Sequence, residues 1–134
     1  MNNDKGYFDT PEFRELLARY EKSVQLEMGA YFGIDEFVDL LSYYLSIDQS
    51  DEATAVLDAA KRLHPTAAEN VKMEIKLLLY LGEARKALDL FNNLKYIDEA
   101  EMLMLKAEIM LALKDFKQAH DIALELMQKR APEI

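Results

Sequence analysis

Leu81-Gly82-Glu83-Ala84-Arg85-Lys86-Ala87-Leu88-Asp89-Leu90-Phe91 decides the fold of this chain. A glycine breaks one apolar stretch, and a new run of helix formers starts at once behind it. Ala87 puts a small side chain early in that second helix, and Phe91 follows one turn later on the same face. The same arrangement occurs elsewhere. Ala53, Ala87 and Ala119 stand 34 and 32 residues apart, each early in the second helix of a pair. Leu57, Phe91 and Ala123 follow four residues later, and Ala60, Leu94 and Leu126 three residues after those. In the preceding helices Phe37, Val71 and Leu103 align, as do Tyr44, Leu78 and Met110. A period near 34 with two helices per period is a solenoid signature. A small residue is needed where helices approach closely, because a bulky one would overpack the joint.

The rest of the chain carries the same periodicity. Phe13, Leu16, Leu17, Tyr20 and Val24 fall at helical spacing, as do Phe37, Leu40, Leu41 and Tyr44, and Ala53, Val56, Leu57, Ala60 and Leu63. No strand-like alternation appears. Thr10-Pro11-Glu12 offers a cap, a first-turn proline and an acid near the helix dipole. Gly29 and Gly33 bracket a link, Ser50 is a candidate cap, and His64-Pro65 stops a helix. Thr66-Ala67-Ala68-Glu69 and Asp98-Glu99-Ala100-Glu101 read as capping-box starts, and Lys114-Asp115 makes the last break. About seven helices of roughly 11 to 19 residues are expected, with short links that make neighbours antiparallel. The predicted fold is therefore all-α: a solenoid of antiparallel helix pairs behind one N-terminal capping helix.

These residues resemble the tetratricopeptide repeat (TPR) family. The first unit, residues 34–67, carries Phe37, Leu40, Tyr44, Ala53, Ala60 and Pro65 at that family's positions. The second, 68–99, keeps Gly82, Ala87 and Phe91. The third, 100–131, keeps Ala107, Phe116 and Ala119. Leu41 and Ile75 depart from the pattern, which has Gly or Ala there, and the second unit is two residues short. Residues 1–33 form no complete repeat and resemble the N-terminal portion of longer bacterial TPR proteins. Covering the exposed flank of the first helix pair is their expected role.

Composition narrows the functional classes. The chain has 134 residues, 51% of them hydrophobic, so it can bury a core. It has no Cys, which removes disulfide scaffolds, thiolate zinc sites and cysteine nucleophiles. The net charge of −9, with no strongly basic segment, disfavours nucleic acid and anionic membranes as partners. No apolar stretch follows Met1, so no secretory leader is expected, and the apolar run Leu77–Leu81 is far shorter than the ~20 residues of a bilayer span. A cytoplasmic location is expected. His64 and His120 lie in different repeats, outside any metal-ligand spacing, and no phosphate loop or nucleophile elbow occurs. Asp35 and Asp39 are one helical turn apart, as on a solvated face. No enzyme, metal or cofactor is expected.

The resemblance implies a partner groove lined by the first helix of each pair. Carried over, its positions are Asp35, Val38, Ser42, Leu45 and Ser46; Glu69, Lys72, Lys76, Leu79 and Tyr80; and Glu101, Met104, Glu108, Leu111 and Ala112. Spacing alone supports one stripe, since Lys72, Lys76 and Tyr80 recur every four residues. The chaperone-tail clamp of some family members has no counterpart, because Val38, Ser42, Met73, Glu101 and Leu105 occupy its positions. The leading expectation is a protein-interaction scaffold that binds a peptide or helix. The alternative is a structural segment of a longer array, whose last helix presents Ile122 and Leu126 for docking or self-association.

Overall fold

The computed structural model describes residues 3–94 and 98–130. Every regular element among them is an α-helix, in the order α1 (Asn3–Phe8), α2 (Pro11–Gln25), α3 (Ile34–Ser46), α4 (Ser50–Leu63), α5 (Glu69–Tyr80), α6 (Ala84–Asn92), α7 (Glu99–Ala112) and α8 (Phe116–Arg130). That is one more than the periodicity predicts. The addition is α1, whose six residues are too few for a 3.6-residue pattern to show. The expected end of the third unit at Ala131 lies outside the described residues.

The repeat has a physical counterpart in the turns. The links α3–α4, α5–α6 and α7–α8 are three residues each. In each, the middle residue is left-handed: Asp48 at φ 60°, Gly82 at 80° and Lys114 at 65°. The amide after it reaches back to the carbonyl five residues earlier, Gln49 to Tyr44, Glu83 to Leu78 and Asp115 to Met110, all at 2.8 Å. This is a Schellman stop, which satisfies carbonyls that a helix end leaves unpaired. Five residues past each left-handed residue stands Ala53, Ala87 or Ala119, and all three are buried. The link at residues 47–49 folds α4 back on α3, and that at 113–115 folds α8 back on α7.

Thr10 and Asp98 cap helices as expected, whereas α5 begins at Glu69 itself, so Thr66 and Glu69 do not form the expected box across its start. Thr10 Oγ1 accepts from the Phe13 amide at 3.2 Å, ahead of Pro11. The Glu36 carboxylate accepts from the Gly33 amide at 2.9 Å, and Asp98 accepts from the amides of Ala100 and Glu101. Ser50 is not a cap. It is the first residue of α4, behind Gln49, because the Schellman stop uses up the link before it.

The chain forms two compact units, residues 1–70 and 71–134, so the first two residues of α5 belong to the first unit. The first unit is built on aromatic rings. Phe13, Phe32 and Phe37 are fully buried, and Tyr20 and Tyr44 nearly so. Phe8 packs on Phe13 at 4.9 Å between centroids and edge-on to Tyr43 at 5.4 Å, which docks α1. The Arg19 guanidinium lies 4.4 Å from the centre of the Phe32 ring and pairs with Glu36 at 2.8 Å. The second unit centres on Ile75, Ala87, Phe91, Leu105, Ile109, Met110, Ala119 and Ile122, drawn from α5, α6, α7 and α8. Complete burial of one large aliphatic such as Ile109 stabilises by about 1.5–3 kcal/mol.

Two side chains assigned to buried faces are exposed. Val24 is 58% exposed and Leu63 41%. Each continues an apolar periodicity past the point where a neighbouring helix covers it.

Candidate functional site

In the second unit, α5 and α7 face each other across a cleft of about 330 Å³. Lys72 and Lys76, one turn apart, project from α5 on one side. Glu101, Met104 and Glu108 project from α7 on the other, and Leu105, Ala107 and Leu126 of α8 complete the lining. Two ion pairs bridge the cleft. Lys72 Nζ lies 3.5 Å from Glu101 Oε1, and Lys76 Nζ lies 3.5 Å from Glu108 Oε1. At that length, with the Lys76 and Glu108 side chains half exposed, such a pair contributes at most about 1 kcal/mol. An incoming carboxylate can therefore displace Glu108 from Lys76 at small cost. The cleft offers two cations, two anions and an apolar strip.

Five of the expected groove residues thus meet at one place: Lys72, Lys76, Glu101, Met104 and Glu108. The others do not line this cleft. Leu79 is half-buried against the core, while Tyr80 and Leu111 are exposed. Ala112 is exposed too. Asp35, Val38, Ser42, Leu45 and Glu69 belong to the first unit, where Asp35 is exposed and the other four half-buried; Ser46, also there, is exposed. The two lysines are not an unpaired stripe, because each takes a glutamate across the cleft. Residue spacing within α5 cannot show a partner 29 or 32 positions away.

The side chains expected at a terminal interface lie inward. Ile122 is only 7% exposed and belongs to the core of the second unit, and Leu126 is half-buried against that core. The outward apolar side chains of α8 are Phe116, Leu124 and Met127. Helical spacing gives Ile122 and Met127 equal claims to the core, and only the position of α7 decides between them.

The histidines have no ligand-like setting. His64 Nε2 lies 2.7 Å from the Phe32 carbonyl oxygen, while His120 is exposed on α8. Among the described residues, no group of three or more His, Asp or Glu is placed to hold a metal ion, and no helix is long and apolar enough to cross a membrane.

Sequence reasoning missed a second depression entirely. In the first unit, α2 and α4 flank a groove with volumes of about 510 and 260 Å³ in two contiguous parts that share Tyr20, Val24 and Ala55. Its signal was present in α4, where Ala55, Ala59 and Leu63 form a second apolar row beside the core row of Ala53, Val56 and Ala60.

No family model, curated protein or solved structure matches the chain.

Proposed function

We propose that this chain is a non-catalytic interaction module, built as a TPR-like solenoid, that binds a peptide or helix of a protein partner along α5 and α7. The cleft carries this reading. Lys72, Lys76, Glu101, Met104 and Glu108, singled out from sequence as partner-facing, line one open depression with an apolar strip between charged rims. The recurrence of the three-residue link and of buried Ala53, Ala87 and Ala119 supports the repeat architecture. An open cleft of this kind suits side-chain recognition better than chemistry that must exclude water.

The test begins with a peptide library selected on the full chain. Binding is then compared for Lys76→Gln and Met104→Gln, with helical circular dichroism as the folding check. At least a tenfold loss of affinity, with amide shifts concentrated on Lys72, Lys76, Met104 and Glu108, is the expected outcome. Selected peptides that bind both variants as well as the unaltered chain refute the site.

A second reading rests on α8. Phe116 is 63% exposed and Met127 68%, and the two lie on one helix face. Such a face fits a docking flank for a further helical unit. If Phe116→Gln with Met127→Gln abolishes concentration-dependent association in light scattering, that reading gains over the groove.

A further inference from the structure

The α2/α4 groove lies in the other unit and has different chemistry. Its floor is apolar: Tyr20 and Phe32 from below, Val24 and Ala55 along the walls. Val24, Met28 and Leu63 border it and are 58%, 55% and 41% exposed, so three large apolar side chains of one unit face the same opening. Surface leucines and valines scattered singly need no explanation, but a contiguous apolar trough does.

The rim is acidic. Glu21 and Glu52 flank one part of the groove, Glu27 and Asp58 the other, and Arg62 is the only Lys or Arg among the groove's lining residues. The surroundings carry the same sign. Residues 1–70 hold 14 Asp and Glu against six Lys and Arg, a net −8, whereas residues 71–134 hold 11 against ten, a net −1. Most of the net negative charge of the chain therefore belongs to the unit that carries this groove. A cleft lined by one sign of charge draws the opposite sign toward it.

The length is also defined. The α4 residues along the groove run from Glu52 to Leu63, which at about 1.5 Å per residue spans roughly 16 Å, or three helical turns. We infer that the α2/α4 groove is a docking site for a cationic amphipathic helix of about three turns. Its apolar face lies against Val24, Ala55 and Ala59, and its Lys or Arg side chains reach Glu21, Glu27, Glu52 and Asp58. The ligand is a protein segment of stated character, with apolar residues at i, i+3 or i+4 and i+7 and basic residues on both edges.

The test uses a fluorescein-labelled synthetic helix of Leu and Lys in that pattern, added to the full chain and followed by anisotropy. Two double variants lose the same charge in different places: Glu52→Gln with Asp58→Asn on the rim, and Glu12→Gln with Glu15→Gln on exposed α2 positions away from it. A third variant, Ala55→Gln, crowds an apolar wall without changing charge. Saturable binding is expected, weakened about tenfold or more by the rim pair and by Ala55→Gln but less than threefold by the control pair; a tenfold change corresponds to about 1.4 kcal/mol. Amide shifts should centre on Val24, Ala55 and Ala59. Equal weakening by the two charge pairs would reveal diffuse attraction and overturn the site. So would equal binding of a peptide with Gln for every Lys, absence of binding, or self-association of the chain through this groove.

Discussion

His64 Nε2 and the carbonyl oxygen of Phe32 lie 2.7 Å apart, so the imidazole carries its proton on Nε2 and donates to a backbone acceptor 32 residues away. His64 is also the C-cap of α4, and its own carbonyl accepts from the Asn70 side chain at 2.6 Å. One residue therefore ties the α2–α3 link to the end of α4 and to the start of α5.

Removing that ring leaves the Phe32 carbonyl without its partner. His64→Ala is expected to destabilise the first unit by about 1–3 kcal/mol in urea denaturation. His64→Gln keeps an N–H donor and should recover part of the loss. Equal stability of all three proteins would show that the bond contributes nothing.

The left-handed stops are testable one by one. Gly82 at φ 80° has open space around a would-be Cβ, so Gly82→Ala meets conformational strain alone and should cost about 1–2 kcal/mol. Lys114 already bears that strain at φ 65°, and Lys114→Gly should stabilise by up to about 1 kcal/mol after the added freedom of the unfolded chain is set against it. Thermal melts of the two variants should move in opposite directions.

The Tyr44 hydroxyl donates to Glu21 at 3.0 Å. Burial first, and then the Glu21 hydrogen bond and charge, push its ionisation well above the ordinary tyrosine range. Because the folded value lies above the unfolded one, this group stabilises the fold fully below about pH 10 and less as pH rises beyond it. Helical circular dichroism between neutral pH and pH 12 should show alkaline unfolding, and Tyr44→Phe should shift its onset upward. An identical alkaline profile for Tyr44→Phe would remove this tyrosine from the account.

Ile122 and Met127 make a matched pair on α8. Ile122→Ala should cost about 2–4 kcal/mol, since it empties part of the core of the second unit. Met127→Gln should change stability by no more than about 0.5 kcal/mol. Unfolding curves of the second unit decide this, and an inert Ile122→Ala would contradict the packing of α8 on α7.

What the sequence determined by itself is local. Thr10-Pro11 and Asp98 mark helix starts because caps act within one turn of the chain. The spacing of Ala53, Ala87 and Ala119 marked three similar hairpins, and Gly82 flagged a left-handed stop that Asp48 and Lys114 also adopt without a glycine to announce it. Half of the candidate cleft was legible on the same basis, because Lys72 and Lys76 share one face of one helix. The other half depended on which helices meet. Periodicity gives a helix its apolar side but not the width of that side its neighbours cover. Val24, Leu63 and Met127 therefore came to lie outside the core while Ile122 went in. The glutamates that face Lys72 and Lys76, the carbonyl that receives His64, and the acidic rim of the α2/α4 groove were likewise settled only by tertiary packing, which brings together residues too far apart in the chain for any local pattern to connect.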